Sequence, residues 1–327
     1  MLSSLATIQS LANKCGSQLP SNAIHLSVSG TQGTNYIVST NGSYTYYAFA
    51  TNCTLSIASI KGSGVPMYWC CVGGGGGGGN GNSTLSGSCN GANGGGMVYG
   101  IFNAISTNSF SIVIGSGGQG SISTVNGYTN NPPSLGINTT VSGTGLAITA
   151  YGGNSGSYNT TGGGGLAQIT NSGGNSGTYS GLTSASVLNG GTGGLSEGST
   201  GSNPTAGSTG NYCPLTPFQS GPYHIPLGSG GGGGANSFPC PAAAPFAGGA
   251  GNGTGYNGTI NSTYNTAVLA VSGAVAASNA YQASFKNYSG NSASNSGAGG
   301  SSSQAQGNAG NGASGIIIVA IPTNNLY

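Results

Sequence analysis

Seven consecutive glycines, residues 73–79, follow directly on an apolar stretch in "MYWCCVGGGGGGGNGN". Glycine loses more backbone freedom on folding than any other residue and brings no side chain to bury. Such a run is either a slack linker or a structure that requires the missing side chains. Smaller clusters recur at "TTGGGGLA", "LNGGTGGL", "GSGGGGGAN", "FAGGAGNGTG" and "NSGAGGSSS". Their irregular spacing argues against a solenoid of fixed repeat. A long slack linker would not be expected to return to so apolar a strand as "GIIIVAIP", residues 315–322. Glycine-rich chain can instead form an extended left-handed helix with three residues per turn and no internal hydrogen bonds. Its peptide groups point outward, and without side chains such helices can approach and bond one another, which satisfies buried backbone groups. The run 73–79 is therefore expected to be ordered and packed against other glycine-rich segments.

Charge is almost absent. Among 327 residues the charged side chains are Lys14, Lys61, Lys286 and Glu197, with no Arg or Asp. Three lysines cannot neutralise a phosphate backbone, so nucleic acid is not an expected partner. One carboxylate cannot build a Ca or Mg site, and the fold should respond little to acid. At 35% hydrophobic residues the chain also lacks the low-hydrophobicity, high-charge signature of disorder. No apolar run approaches the roughly 20 residues of a membrane span. Proton-exchanging groups for catalysis are limited to His25, His224, Glu197 and the thiols, so no enzyme and no catalytic residue are expected. "GSGGQG" (115–120) fits G-x-G-x-x-G, but a turn-rich segment without an acid follows it. It reads as a strand-ending turn, and no cofactor is expected.

The first third reads as strands. "AIHLSVSG" alternates, with Ile24, Leu26 and Val28 on one face and His25 toward solvent. "NYIVST" and "YTYYAFA" flank "NGS", a hairpin signal. "CTLSIASI" contributes Leu55, Ile57 and Ile60, and "VPMYWCCV", apolar on both faces, reads as a central strand. "GMVYGIF" and "NSFSIVIG" follow. The predicted fold is all-β: an antiparallel β-sandwich with a large glycine-rich insertion of polyglycine-II type, closed by the C-terminal strand. The expected divisions are an N-terminal amphipathic helix or anchor (1–22), a sheet region (23–115), a glycine-rich body (116–314) and the closing strand (315–327). Leu2, Leu5, Ile8 and Leu11 suggest the helix, packed on its own domain or anchoring to a partner.

Seven cysteines are present, none in a C-x-x-C pair, so a zinc site is not expected. Cys213 and Cys240 bracket the most proline-rich segment and are the first disulfide candidates. Cys70 and Cys71 should point to opposite faces of one strand. "NYCPLTPFQSGPYHIPLG" (211–228) gathers Tyr212, Phe218, Tyr223 and His224 among four prolines. Stiff aromatic loops suit contact with sugars or proteins, and these four are receptor-contact candidates. The alternative is a covering loop that packs its aromatics inward. N-glycosylation sequons stand at Asn41, Asn52, Asn82, Asn138, Asn159, Asn252, Asn257, Asn261 and Asn287, a frequency that the abundance of Asn, Ser and Thr produces by chance.

The order of an apolar strand entering "VGGGGGGG", then "FSIVIGSGGQG", a glycine-rich body and a terminal "GIIIVAI" resembles the glycine-rich domain of phage tail fibres and of surface proteins of other large viruses. The resemblance covers residues 36–322, and Ala320 stands where that family usually has Arg. It implies a non-enzymatic virion surface protein, a fibre, spike or capsid decoration with a role in host attachment. The partners it implies are other virion structural proteins, further copies of the chain, and a host surface glycan or protein. The alternative class is a cellular extracellular filament or surface-layer subunit.

Overall fold

In the computed structural model the described residues are 21–62, 64–79, 91–124, 127–156, 176–194, 207–208, 210–220, 222–228, 230–231, 297–300 and 309–327. The predicted helix at 1–22 lies almost wholly outside them.

Two antiparallel six-stranded sheets pack face to face, as the alternating strands predict. The first sheet contains β1 (Ala23–Val28), β4 (Cys53–Lys61), β7 (Asn108–Val113), β10 (Thr139–Gly143), β11 (Leu146–Ala150) and β12 (Gly177–Ser180). The second contains, in spatial order, β13 (Thr183–Leu188), β6 (Met97–Ala104), β5 (Val65–Val72), β14 (Ile316–Pro322), β3 (Tyr44–Phe49) and β2 (Tyr36–Thr40). A short ribbon of β8 (Ile122–Thr124) and β9 (Gly127–Asn131) stands apart from both. As its two-sided apolar pattern requires, β5 is central. The terminal strand β14 inserts between β5 and β3, pairing Ile318 with both Cys70 and Ala48.

Period-two alternation places Ile24, Leu55, Ile57, Phe110, Ile112, Val141 and Ile148 of the first sheet against Phe49, Met67, Trp69, Cys71, Val98, Ile317 and Val319 of the second. Trp69 meets Phe110 edge-on across this core, with ring centroids 5.4 Å apart. The other face of the first sheet carries exposed Ser27, Ser109, Ser111 and Ser142, while His25 is exposed as the alternation predicts. The central strands β5 and β14 of the second sheet are largely buried on both faces, which is why they read as unbroken apolar runs.

At one pole the strands do not stop but continue as glycine helices. Val72 pairs with Met97, and the next rung is Gly73 N–H donating to Gly96. Along 73–78 the amides of 73 and 76 donate to Gly96 and Asn93, those of 74 and 77 to Ile137 and Ser134, and those of 75 and 78 to Ala313 and Gly310. Each neighbour recurs every third residue, the signature of the three-per-turn helix. The carbonyls of 74 and 77 accept from Gly153 and Gly156, those of 75 and 78 from Gly118 and Ser121, and that of 76 from Gly300.

Six segments thus surround 73–79, and they bond to each other in a closed ring. Asn93 N–H reaches Asn154, Gly136 reaches Gly153, Ser134 reaches Gln119, Gly312 reaches Gly118, Ala313 reaches Ala298, and Ala92 reaches Gly300, all at 2.8–3.0 Å. The result is a hexagonal lattice of helices with 73–79 at its centre. Three of its neighbours, 115–121, 133–138 and 151–156, adjoin strands of the first sheet, whereas 73–79 extends the second. In a sandwich, side chains hold the sheets about 10 Å apart. Beyond residue 72 those side chains vanish, and backbones from the two layers bond directly.

Close approach explains the glycines. A Cβ at any of residues 73–77 would come within 3.0 Å of a neighbouring carbonyl: Tyr151, Ser116, Ala298, Asn154 and Gln119 in turn. The hydrogen that occupies each such direction points at that oxygen, a Cα–H···O contact. Where a side chain does appear it completes the lattice. The Asn93 Oδ1 accepts from Gly193 N–H, and the Asn311 Oδ1 from Gly120 N–H, each at 2.8 Å.

Two expectations are corrected. Glycine-rich residues 116–314 are not a body separate from a sheet region, because β10–β13 within them complete both sheets, while 73–79 and 91–96 belong to the bundle. Glycine helix and strand alternate along the chain. "GSGGQG" is not a strand-ending turn; it is a lattice helix, in which Gly118 and the following Ser121 bond to Gly75 and Gly78.

Candidate functional site

The outer face of the second sheet carries Tyr46 and Ala48 from β3, Ile316, Ile318 and Ala320 from β14, Tyr68, Cys70 and Val72 from β5, and Met97, Tyr99 and Ile101 from β6. Left bare, so much apolar surface would be an association hazard. The segment 211–228 covers part of it. Asn211 and Leu227 exchange two backbone hydrogen bonds of 2.8 and 2.9 Å and close the segment into a compact loop. Pro217 sets the dihedral of a short 3-10 turn, Thr216–Phe218, whose Phe218 is 1% exposed against Tyr46. The Tyr46 hydroxyl donates to the Pro217 carbonyl (2.7 Å) and accepts from Asn41 Nδ2 (2.8 Å), which fastens the loop to β3.

The four receptor-contact candidates therefore separate into two pairs. Phe218 is a packing residue. Tyr223 stacks on Tyr46 at 5.3 Å, and burial raises its hydroxyl pKa. Tyr212 is 42% exposed and His224 is exposed, their rings 4.9 Å apart and 30° from parallel. The His224 Nδ1 lies 3.0 Å from the Phe218 carbonyl. A carbonyl only accepts, so Nδ1 carries the hydrogen, and this bond fixes the ring against Tyr212.

Beside the loop, three half-buried tyrosines that the sequence reading overlooked, Tyr44, Tyr68 and Tyr99, continue the aromatic surface. Tyr44 and Tyr68 meet edge-to-face at 5.7 Å. Burial, then the neighbouring Tyr44, raises the Tyr68 pKa. The strand alternation puts Tyr44 and Tyr46 on one face, but only the β14 register brings Tyr68 beside them, with Ala320 pairing to both Tyr46 and Tyr68. Tyr44, Tyr68 and Tyr99 thus present an aromatic surface on the outer face of the second sheet, and Tyr212 and His224 present a second one on the loop that covers part of that face. Rings with polar tips offer stacking planes together with hydroxyl donors and acceptors, the chemistry that binds sugars and polar protein surfaces.

Other predicted sites resolve as follows. Cys213 is buried with a free thiol, and Cys240, its expected partner, lies outside the described residues. Cys70 and Cys71 face opposite sides of β5, as expected. Asn41, Asn52 and Asn138 are exposed. The Nδ2 of Asn41, the atom that would carry a glycan, is held by Tyr46; Asn52 and Asn138 accept from Ile114 and Gly152 through Oδ1. Asn82, Asn159, Asn252, Asn257, Asn261 and Asn287 lie outside the described residues. Among the described residues no three His, Cys, Asp or Glu side chains gather at a metal-binding distance, and no helix is long and apolar enough to cross a membrane. No known protein-family model matches the chain, and no curated protein matches it in sequence.

Proposed function

We propose that the chain is a non-enzymatic structural protein of a virion surface, a fibre, spike or capsid decoration, and that its tyrosine face contributes to host attachment. The observation that carries this reading is the molecule's polarity. The first and last described residues meet at one pole, where Ile24 bridges Leu326 and Tyr327 N–H reaches the Ile24 carbonyl. The glycine lattice projects from the opposite pole. A body stiffened at one pole by a rigid lattice suits an appendage. The lattice is held by backbone bonds and close packing rather than by ion pairs, so its cohesion does not depend on pH or salt in the medium outside a cell. The tyrosine-rich face, with its rings and hydroxyls, suits a glycan.

The test is fractionation of virus particles purified from infected cells, with limited surface biotinylation before mass spectrometry. The reading predicts the chain in the particle fraction, labelled at Lys61 on intact particles. Recovery only from cell envelopes, in uninfected cultures as well as infected ones, would instead establish a cellular filament or surface-layer subunit.

A further inference from the structure

We propose that Cys70 and Cys213 are a cross-linking pair, whose oxidation to a disulfide staples the 211–228 loop onto the second sheet. The two residues lie in one buried cluster, Cys70 at 0% and Cys213 at 4% exposure, among Tyr46, Ala48, Phe218, Leu227 and Ile318. They reach it from opposite sides: Cys70 points outward from the centre of β5, and Cys213 points down from the loop. Both side chains belong to that one cluster, and each is a free thiol. The neighbouring Cys213, then burial, holds the Cys70 thiol well above its usual range. Cys71, one residue away, faces the opposite side of β5 and is no alternative partner for a bridge across the outer face.

The loop's other anchors already set the approach without the bond. The Tyr46 hydroxyl holds Pro217, and the paired backbone bonds of Asn211 and Leu227 close the loop's base. Two thiols that enter one buried cluster from facing elements are placed for a disulfide, whose geometry is reached by side-chain rotation.

The oxidant is a low-molecular-weight disulfide, such as oxidised glutathione. While the loop is undocked, the Cys213 thiolate attacks one of its sulfurs, forming a mixed disulfide and releasing one thiolate. Docking brings this mixed disulfide to Cys70. Cys70 gives up its proton, its sulfur attacks the Cys213 sulfur, and the second thiolate leaves. In sum two protein thiols and one small disulfide become one protein disulfide and two small thiols. The protein loses two hydrogens and the oxidant gains them. Once docked, the bridge is buried and shielded from reductant. A chain made in a reducing compartment would therefore carry the thiols, and one matured in an oxidising compartment would carry the staple.

The test uses the full chain, reduced and then equilibrated with oxidised glutathione, followed by alkylation and non-reducing peptide mapping. A peptide pair joined through Cys70 and Cys213 is expected. The bridge closes a long loop, so the melting temperature should rise by about 5 °C and fall back on reduction. Cys213→Ala should abolish both the cross-link and the rise. Cys53→Ala, on the first sheet, should leave both in place. Recovery of Cys70 and Cys213 as alkylated thiols after oxidation, Cys213 trapped as a stable glutathione adduct, or a bridge from Cys213 to Cys240 would each overturn the proposal.

Discussion

Replacing Gly76 with alanine tests whether the glycine run is structure. The added Cβ would lie within 3.0 Å of the Asn154 carbonyl and the Ser155 nitrogen, both backbone atoms. Neither can swing away as a side chain would. For an ordinary contact the segment 151–156 must withdraw by roughly 1 Å, which takes a hydrogen bond outside its working range. Three of the bonds that tie that segment to the lattice lie closest to the clash: Gly153 N–H to Gly74 and Gly156 N–H to Gly77, both 2.8 Å, and Asn93 N–H to Asn154, 3.0 Å. At about 1 kcal/mol each, their loss gives a destabilisation of about 3 kcal/mol. For a chain of this size that is a fall of roughly 6 °C in melting temperature. Gly42→Ala is the control. Gly42 has φ +89° with nothing within 4 Å of a Cβ, so only the left-handed backbone penalty of about 1 kcal/mol applies. A slack run would behave in the opposite way, since alanine would stabilise it by about 0.4–1 kcal/mol through the unfolded state. Thermal and urea melts of both variants distinguish these cases. A Gly76→Ala protein that melts at or above the parent temperature would refute the packed lattice.

Four further outcomes are expected. Deleting residues 315–327 removes β14 from between β5 and β3 and leaves two open apolar edges, so the truncated chain should be recovered only as aggregate; a soluble product with an unchanged far-UV spectrum would contradict the closed sandwich. With one carboxylate side chain in 327 residues, the melting temperature should move by no more than about 2 °C between pH 7 and pH 3, read by calorimetry. Alkali should act differently: burial raises the pKa of Cys53 to about 11 and also raises those of Cys71, Tyr47 and Tyr223. The unfolded chain therefore releases protons first, so the stability present at neutral pH should decline from about pH 9 upward, visible as a falling urea midpoint. Tyr46→Phe removes the donor to Pro217 and should destabilise the loop by about 1 kcal/mol, seen as faster hydrogen exchange in 211–228 with the two sheets unaffected.

Much of the architecture is legible because each element carries its own signal. Alternation in residues 23–28, a two-sided apolar run in "VPMYWCCV" and a last strand too apolar for an edge lead to a sandwich closed by its C-terminus. The glycine run discloses its conformation for the same reason: only one extended helix tolerates neighbours on all sides. What the chain does not display is which segments become neighbours. Most of the glycine helices adjoin a strand, so strand pairing largely fixes the lattice. That pairing is long-range, as in the bond from Gly75 to Ala313. "GSGGQG" looks like a turn until Gly75 and Gly312 are beside it. The candidate site divides likewise. The proline-rich loop advertises its aromatics, but whether Phe218 or Tyr212 faces outward depends on Tyr46, far away in sequence. Tyr68 is hidden inside a strand that reads as core. Bracketing in sequence points Cys213 toward Cys240, whereas its place in the same buried cluster as Cys70 depends on the fold.

The most direct measurement is residue-resolved hydrogen exchange of the amides of Gly73 to Gly78 by NMR on labelled protein. Every one of these N–H groups donates to a neighbouring helix at 2.8–3.0 Å in the centre of the lattice. All six should exchange as slowly as the central strands β5 and β14, opening only with global unfolding. Exchange of these glycines at the rate of free peptide, with β5 still protected, would show that the run is slack and that no lattice extends the sandwich.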